Sequence, residues 1–453
     1  MSRNALTDEY LDEVRRRGVD PTDLPARAGV SPRLRTSIYG GRCLSRPAFL
    51  DRTERAQLEV DLRHLHGALT ALPDRLFDGD LAAFAYACGA TEPQVSAVLR
   101  AGGRTPGRLA RADLYHDGTG FRLMELNMGS SIGGLDNALL NPVLLDHPVV
   151  ARFVADHGLS YVDSIAEFAM VLHAASGVPA GERPLIALAD WPASFPELEG
   201  ILRNGADALV PYGVDVIPCH LGQLSVSHGR VWLDGRPIDL LWRIFLIEDL
   251  LDPASVTLIE PLLRAADRGE LTIFTPIDVE LYGSKAALAM LSDEANRHRF
   301  DADQLHSLDR LLPWTRMVQP GHTAVDGEKV ELRAYAVRHR TDLVLKPAMM
   351  HGGLGVVLGW QVDEAEWCRQ LDAAMGGPYV VQRRIRPVPE LFPATGGLEP
   401  WLVRLGVFTF DSGYGGTIVS ASRDLTGTVS TSLTGATLGC CFHEPDPADP
   451  PPA

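Results

Sequence analysis

Residues 109–141 constrain the fold more than any other part of the chain, because they place charged side chains within a pattern that otherwise predicts β-strands. Residues 110–115 and 121–127 both alternate between polar and apolar side chains, and the glycine-containing segment 117–120 separates them. This pattern predicts an antiparallel hairpin that carries charge on one of its faces.

The four polar side chains of this hairpin have types that suit a metal and phosphate site. A period of two places Arg111 and Asp113 on one face of the first strand, and Glu125 and Asn127 on one face of the second. These faces coincide if Asp113 pairs with Glu125, which requires a loop with an odd number of residues. Two carboxylates and an amide oxygen would then bind Mg²⁺ beside a guanidinium that can hold phosphate or carboxylate. The alternative is a surface hairpin with a cross-strand salt bridge. The small, glycine-rich loop 128–134 favours the site, because its backbone can approach a ligand closely.

The totals exclude several classes of protein. At 453 residues the chain is too long for a single compact core, and we expect about three structural units. Lys and Arg number 42 against 58 Asp and Glu, a net charge of -16, so we expect no nucleic-acid partner and no membrane partner. No run of roughly 18 apolar residues and no signal-peptide core occurs, so a cytoplasmic protein is expected. The six cysteines lack metal-ligand spacing, and the adjacent Cys440 and Cys441 should be buried thiols rather than a redox pair.

Apolar periodicity and composition divide the chain into five segments. Residues 1–105 have helical periodicity and should form a cap beside the hairpin. The others are the hairpin with its following helices (106–180), an α/β unit with a small, mainly parallel sheet (181–280), the unit with a second motif (281–440) and a proline-rich tail (441–453). We therefore predict a mixed α+β and α/β protein, with 314–321 as a connector and 331–340 as a helix or a strand.

Two basic residues lie where a helix or strand would not by itself favour them. Arg243 is within the apolar strand predicted at 239–245, so it must either have an acidic neighbour or face a cleft. Lys285 follows Ser284, a good helix cap, and would lie in a first helical turn where lysine gains nothing from the helix dipole. An anionic partner would explain Lys285, and a solvated surface lysine is the alternative.

The second motif, residues 342–360, is a buried strand that ends in a lysine, a glycine-rich loop and a returning strand. Lys346 ends the first strand, and Gly352, Gly353 and Gly355 lie in the loop. Such a loop can fold over phosphate groups with its N–H groups while the lysine offsets their charge. It is not a Walker sequence, because no Gly-Lys-Ser/Thr occurs.

Together with the helix predicted at 363–374 and the strand at 379–383, this motif resembles the nucleotide-binding half of the ATP-grasp superfamily, which clamps ATP between two α+β subdomains. Arg111-x-Asp113 followed by Glu125-x-Asn127 resembles the metal and substrate motif of its glutathionylspermidine synthase-like branch. In that branch, as here, the metal-binding segment precedes the nucleotide-binding segment, the reverse of the usual order. Residues 284–288 and 238–243 are also similar to segments of these circularly permuted proteins. The resemblance implies an ATP-grasp fold with a helical N-terminal cap and a small parallel-sheet pre-ATP-grasp domain.

The resemblance also implies a role for individual positions. Mg²⁺ would bind Asp113, Glu125 and Asn127, and Arg111 would hold the transferring phosphoryl group or the acyl phosphate. ATP would contact two lysines, the loop and the hinge strand, namely Lys285, Lys346, His351, Gly352, Gly353, Gly355, Gln382, Arg383 and Ile385. The acyl substrate would contact Ser130 and Ser131. Arg243 and Arg404 would suit an acidic substrate or phosphate, although either could serve a structural ion pair.

Two departures from the family pattern concern the ribose and the substrate. The hinge has arginines at 383 and 384 where an acidic residue is common, which leaves Glu390 as the candidate for the ribose hydroxyls. No cysteine amidase domain of the kind fused to some glutathionylspermidine synthases is recognisable.

The function implied by the resemblance is that of an ATP-dependent carboxylate–amine ligase, which forms an amide through an acyl phosphate and releases ADP and phosphate. Its partners would be a small-molecule or peptide carboxylate and an amine, and a homodimer is compatible with the sequence. The alternatives are an ATP-dependent phosphotransferase and a non-catalytic ATP-binding protein. The combination of Arg111, Asp113, Glu125 and Asn127 argues against the last of these.

Overall fold

The computed structural model describes residues 4–31, 34, 42–101, 107–129, 132–251, 253–350, 352–427 and 436–446. Helices are mixed with both parallel and antiparallel sheets, which confirms the predicted α+β and α/β architecture. No helix within these ranges is long and apolar enough to cross a membrane.

The helices and strands have the following bounds. The α-helices are Ala5–Arg17, Asp23–Val30, Arg52–Thr70, Leu72–Phe77, Leu81–Ala87, Glu92–Ala101, Leu140–Leu145, Pro148–Asp156, Ser164–Ser176, Phe195–Leu209, Pro253–Asp267, Val279–Gly283, Lys285–Ser292, Ala302–Leu311, Leu332–Arg338 and Glu364–Ala374. Short 3₁₀ helices are Leu135–Leu139, Val210–Tyr212, Leu221–Gln223, Ile247–Leu251, Glu294–Arg299 and Arg340–Asp342. The strands are β1 (Ala48–Leu50), β2 (Ala110–His116), β3 (Phe121–Met128), β4 (Leu185–Asp190), β5 (Asp215–His220), β6 (Leu224–Ser227), β7 (Arg230–Leu233), β8 (Arg236–Pro237), β9 (Leu240–Arg243), β10 (Ile273–Phe274), β11 (Thr315–Met317), β12 (His322–Val325), β13 (Glu328–Glu331), β14 (Leu343–Pro347), β15 (Val357–Leu358), β16 (Tyr379–Arg383), β17 (Glu390–Ala394), β18 (Gly397–Phe410), β19 (Gly413–Ser422) and β20 (Thr437–His443).

The largest sheet joins the early hairpin to strands from the end of the chain. Its order is β1-β20-β19-β18-β2-β3, and β17 also pairs with β18. Only the β1–β20 pair among these is parallel. The β2–β3 hairpin is thus held at one edge of a sheet by β18, a strand almost 300 positions later in the sequence.

The predicted helical cap packs against the second half of the chain. Its longest helix, Arg52–Thr70, begins with a capping box in which Glu54 N–H donates to Asp51 Oδ1 at 2.8 Å. This helix packs on Ala302–Leu311, where Arg310 forms an ion pair with the buried Asp61. The cap therefore fixes the position of the helices that precede β11.

A four-stranded parallel sheet, of order β10-β9-β4-β5, confirms the small parallel sheet predicted at 181–280. Helix Phe195–Leu209 connects β4 to β5, and β9 lies on the opposite side of β4. After β4 the chain therefore adds β5 on one side of this strand and later adds β9 on its other side. Ligands commonly bind in the crevice at the carboxyl ends of strands arranged in this way.

The sheet that contains Lys346 has the order β11-β16-β14-β15, and all its pairs are antiparallel. Helices Leu332–Arg338 and Glu364–Ala374 pack beside it. Trp367 is fully buried between them and donates from Nε1 to the Ala336 carbonyl at 3.0 Å. Of the two structures predicted for 331–340, the helix is the one that forms.

Two of the short strands that the sequence did not predict are β11 and β1. Thr315–Met317 forms β11 within the predicted connector, which is wrong at that point, and Ala48–Leu50 forms β1 within the predicted cap. Each has three residues, too few to give a periodic signal, and each forms only because a distant strand offers hydrogen-bonding groups.

At the end of the chain, β20 continues across position 441, where the sequence predicted the start of a tail. Cys440 and Cys441 lie in this strand and are buried free thiols, as predicted. The sheet therefore extends into the predicted tail as far as His443, and residues 447–453 lie outside the described ranges.

Candidate active site

The β2–β3 hairpin has the predicted pairing. Arg111 lies opposite Asn127, and Asp113 lies opposite Glu125. All four side chains line a cleft of about 940 Å³. The predicted hard-oxygen donors and the guanidinium are thus together on one face.

The cause of this strand pairing differs from the predicted one. His116 pairs with Phe121, so the loop is residues 117–120, an even number, and the predicted odd loop is wrong. The register shifts next to Asp113, where Met124 is the additional residue of a β-bulge. The bulge rather than the loop aligns the two polar faces. It also turns the Met124 carbonyl toward Lys346, whose Nζ donates to it at 3.2 Å.

Arg111 and Asp113 form a two-pronged ion pair. Arg111 Nε is 2.8 Å from Asp113 Oδ1, and Nη2 is 3.1 Å from Oδ2. Arg111 Nη1 donates to the carbonyls of Ile132 and Gly133. Burial alone would raise the pKa of Asp113, but the charges of Arg111 and Arg404 outweigh it and leave that pKa lowered. Asp113 is therefore a carboxylate that holds the Arg111 guanidinium in a fixed place.

Gly406 makes room for this ion pair, and no pattern in the sequence indicates this role. It lies opposite Asp113 in β18. A Cβ at this position would lie 3.0 Å from Arg111 Cδ and 3.1 Å from Asp113 Oδ1. Finding it requires knowledge of which strand pairs with β2.

Glu125 is the open carboxylate of the hairpin. Among the described residues it accepts no hydrogen bond, and its only charged neighbour within ion-pair distance is Lys285, whose Nζ is 3.9 Å from Oε2. Asn127 Nδ2 donates weakly to Asp113 Oδ2 at 3.5 Å, which leaves the amide oxygen available.

These donors fit a magnesium ion. The described residues contain no group of three or more His, Cys, Asp or Glu side chains that could hold a metal, and the predicted set has only two carboxylates. Glu125 and Asn127 nevertheless offer free hard oxygens, as Mg²⁺ prefers. Asp113 shares its oxygens with Arg111.

Two buried lysines approach the hairpin from the second half of the chain. Lys285 lies in the first turn of its helix, which Ser284 caps by accepting from Ala287 N–H at 3.1 Å, as predicted. Its Nζ donates to the Met350 carbonyl at 2.8 Å. Burial and the neighbouring charge of Lys285 lower the pKa of Lys346 to about 8, against an opposing effect of Glu125. A cleft that assembles two ammonium groups in this way suits a polyanionic ligand.

The side chain of Gln382, one of the predicted ATP contacts, lies beside Lys346. Its Oε1 accepts from Lys346 Nζ at 2.6 Å and its Nε2 donates to Thr315 Oγ1 at 3.1 Å, so its side chain positions the lysine.

In the rest of the predicted hinge, Ile385 has backbone groups available to a ligand, whereas the side chains of Arg383 and Arg384 contact other residues. Ile385 lines the cleft, and its backbone makes no hydrogen bond with another described residue. Arg383 turns to Asp326 in an ion pair of 2.8 Å. Arg384 lies over the Trp360 ring, 3.7 Å from its centroid.

The glycine-rich loop needs its glycines. Gly352, Gly353 and Gly355 have φ values of 66°, 79° and 69°, a conformation that other residues rarely adopt. A Cβ at Gly355 would also lie 2.8 Å from Pro347 Cγ. His351 lies outside the described residues, as do Ser130 and Ser131 of the other predicted loop.

Two predicted ligand contacts are wrong. Arg243 is 1% exposed, forms an ion pair with Glu280 and donates to the carbonyl of Phe245 at 2.8 Å. It therefore has the acidic neighbour that the sequence left open and does not line the cleft. Glu390, the candidate for the ribose, is buried against the fully buried Arg46 at 2.8 Å. Both are structural ion pairs.

Arg404 does line the cleft. It lies in β18 opposite Tyr115, near enough to lower the pKa of Asp113, and forms no hydrogen bond or ion pair with another described residue. Its guanidinium is available to an anionic group.

One further wall of the cleft was not predicted. It consists of the cleft-lining residues between positions 185 and 250, which lie near the carboxyl ends of β4 and β9, in the segments after these strands and in helix Phe195–Leu209. We call it the sheet-edge wall. It includes Asp190, Trp191 and Asp249, and no spacing in the sequence distinguishes these residues from ordinary loop residues.

No family model matches the chain, and no curated protein matches it. Among solved structures, it is similar to a glutathione synthetase-like effector from Globodera pallida in its apo form, with a TM-score of 0.54 and 12% identity over 96% of this chain and 97% of that one. A putative gamma-glutamylcysteine synthetase from Methylobacillus flagellatus gives a TM-score of 0.38 and 12% identity over 82% and 85% of the two chains. D-alanyl-alanine synthetase A from Vibrio cholerae gives 0.26 and 14% over 51% and 68%.

The first of these similarities shows a shared fold. The chain has the ATP-grasp fold, with a helical N-terminal cap and a small parallel sheet.

Proposed function

We propose that this protein is an ATP-dependent carboxylate–amine ligase, which forms an amide through an acyl phosphate and releases ADP and phosphate. The observation that carries the proposal is a convergence of distant segments. Glu125 of the hairpin lies 3.9 Å from Lys285, and Lys346 donates to the carbonyl of Met124 beside it. Oxygen donors for a metal and cations for phosphate groups therefore share one cleft.

We further propose that the chain belongs with the circularly permuted, glutathionylspermidine synthase-like proteins. The order of strands supports this, because the hairpin that carries Asp113 and Glu125 pairs with β18 from the last quarter of the chain. The metal-binding segment thus comes first in sequence and still completes a sheet of C-terminal strands.

In the proposed complex, the ammonium groups of Lys285 and Lys346 offset the charge of the ATP phosphates, and Gln382 keeps Lys346 in place. The backbone of the loop 352–355 lies over the phosphates, and the free backbone groups of Ile385 bind the base. Mg²⁺ held by Glu125, Asn127 and Asp113 would supply further positive charge between the phosphates.

Arg111 and Arg404 face the same part of the cleft and would hold the carboxylate substrate. An oxygen of this carboxylate attacks the γ-phosphorus of ATP, the bond from that phosphorus to the bridging oxygen breaks, and ADP leaves. The ammonium form of the amine first loses a proton to solvent. Its nitrogen then attacks the acyl carbon, the bond to the phosphate oxygen breaks, and the nitrogen loses a second proton to solvent. The sequence of steps is needed because oxide cannot leave a carboxylate, whereas phosphate can.

The test is a phosphate-release screen over pairs of carboxylates and amines, followed by mass measurement of the product. We expect ADP and phosphate to form only when both partners are present, with an amide as product. A phosphorylated product formed without amine would instead identify a phosphotransferase. ATP binding with no turnover on any pair would indicate a binding protein. Cytoplasmic location and homodimer formation remain predictions from the sequence.

A further inference from the structure

Charge is divided unevenly over the cleft. The basic side chains that line it come from the hairpin, from β18, from the segments that carry Lys285 and Lys346, and from residues 383–386 at the end of β16. The sheet-edge wall contributes no basic residue among those described, but it contributes Asp190 and Asp249. Its remaining surface is mainly apolar and includes Leu188, Trp242 and Phe245. One part of the cleft therefore suits anions, and the other suits a cation with an apolar body.

Asp190 is the charged group at the centre of this wall. It ends β4, and only 3% of it is exposed. Ser194 Oγ donates to its Oδ2 at 2.7 Å, but no other side chain donates to the carboxylate and no cation of the described residues lies within ion-pair distance. Since a buried carboxylate normally has a cationic or multiply hydrogen-bonded partner, a cationic ligand group would stabilise Asp190.

The neighbouring Trp191 is a second, independent sign of a ligand. Its indole N–H is buried in a residue that is 8% exposed, and within the described part of the chain no hydrogen bond of ordinary geometry satisfies it. It interacts with the Asp249 carboxylate without forming a hydrogen bond of ordinary geometry. Asp249 itself accepts from the N–H of Leu246 at 2.7 Å, and burial raises its pKa. A buried donor and two carboxylates without cations thus face the same space.

We propose that the acceptor amine binds the sheet-edge wall as an ammonium ion on Asp190 and Asp249, and that it is an amine with an apolar body and no carboxylate beside its nitrogen. This inference rests on the proposed ligase function and specifies its acceptor. An amino acid acceptor would bring its own carboxylate into a wall with no basic side chain, and desolvating that anion without a partner is costly. The Arg111 and Arg404 side of the cleft, in contrast, suits the carboxylate donor.

The experiment compares matched pairs that differ by one carboxylate. Binding of isoamylamine against L-leucine, and of phenethylamine against L-phenylalanine, is measured by calorimetry on the full chain with Mg²⁺ and a non-hydrolysable ATP analogue. We expect each amine to bind at least about tenfold more tightly than its amino acid. Equal or tighter binding of the amino acids, or no binding of either amine, would overturn the inference.

Asp190→Asn should weaken amine binding by at least about tenfold, since it keeps the shape and removes the charge. Asp207→Asn, the same change at an exposed position of helix Phe195–Leu209, is the matched control and should leave amine affinity unchanged. Asp249→Asn provides a second test if the Asp190 variant unfolds. Unchanged amine affinity in both Asp190 and Asp249 variants would contradict the site.

Binding of the ATP analogue, measured alone in the same samples, separates this inference from the proposed function. If the analogue binds but the amines show no preference over the amino acids, the acceptor assignment fails and the ligase proposal stands. If the analogue does not bind, the ligase proposal fails.

Discussion

Two regions of this molecule carry charge inside apolar strands, and they differ in how completely that charge is bonded. At the end of β9, Arg243 contacts Glu280 and several carbonyls, and the other oxygen of Glu280 accepts from Ile247 N–H at 2.9 Å. In the sheet that contains the hairpin, Glu125 accepts no hydrogen bond and Arg404 has no ion pair among the described residues. The sequence signal is the same in both regions, but of these four side chains only the incompletely bonded Glu125 and Arg404 line the cleft. Unsatisfied charge, rather than charge itself, distinguishes a ligand site from a structural ion pair.

The comparison predicts its largest effect at Glu125. Glu125→Gln should lower turnover by roughly a thousandfold or more, about 4 kcal/mol, because the amide keeps the shape but loses the charge that would bind the metal. Since the Glu125 carboxylate accepts no hydrogen bond from another described residue, we expect the melting temperature to change little. Steady-state kinetics and a thermal melt on the same preparation check both statements. Turnover close to that of the unchanged protein would remove Glu125 from the metal site.

The same substitution at Glu280, in the region of Arg243, should lower stability and leave ATP affinity unchanged. Glu280→Gln removes the negative charge that pairs with the buried Arg243, and breaking a buried pair in this way costs about 3 kcal/mol of unfolding free energy. The folded fraction should retain its affinity for ATP, because Arg243 does not line the cleft. Urea unfolding gives the stability, and calorimetry on the folded protein gives the affinity. A stable Glu280→Gln protein that fails to bind ATP would show that this region is part of the site.

Much of the site was readable from the sequence, because its residues are close together in the chain. Arg111, Asp113, Glu125 and Asn127 occupy two adjacent strands, so a period of two was enough to place them on one face. The bulge at Met124 was not readable, since it depends on the pairing of the folded strands.

Residues whose role depends on distant neighbours escaped prediction. Position 406 must be glycine because side chains of the paired strand β2 occupy the space that a Cβ would need. Arg243 and Glu390 were predicted as ligand contacts because their ion-pair partners, Glu280 and Arg46, are far away in sequence. Asp190 could be recognised as a candidate ligand contact only in the folded structure, where no cation of the described residues lies within ion-pair distance of its carboxylate. Local periodicity predicts which face a side chain occupies but not what else reaches that face.

Lys346 offers a pH test of the incompletely bonded region. Its pKa of about 8 in the free protein lies below the ordinary 10.5, chiefly because of burial. Phosphate groups favour the charged lysine, so binding above pH 8 requires uptake of a proton, and ATP affinity should fall by up to about tenfold per pH unit. Stability should move in the opposite direction over pH 8 to 10, because there the unfolded chain binds more protons than the folded one.

Titration of the ATP analogue at several pH values checks the first expectation, and urea unfolding checks the second. Lys346→Arg is the matched control, since arginine stays charged over this range and should flatten the dependence of affinity on pH. An affinity for ATP that stays constant from pH 7 to about 9.5 in the unchanged protein would mean that Lys346 does not meet the phosphates.

The smallest effect is expected at Ser284, which caps a helix and precedes the cleft-lining Lys285. Ser284→Ala removes the oxygen that accepts from Ala287 N–H, and loss of such a cap costs about 1 kcal/mol of unfolding free energy. ATP affinity should change by less than about threefold, because Lys285 is also held by its own backbone N–H, which donates to the Ala348 carbonyl at 2.8 Å. Ser284→Asp, which retains a capping oxygen, is the control and should keep most of the stability. A loss of ATP affinity much larger than the loss of stability would mean that Ser284 contacts the nucleotide directly and belongs with Glu125 rather than with Arg243.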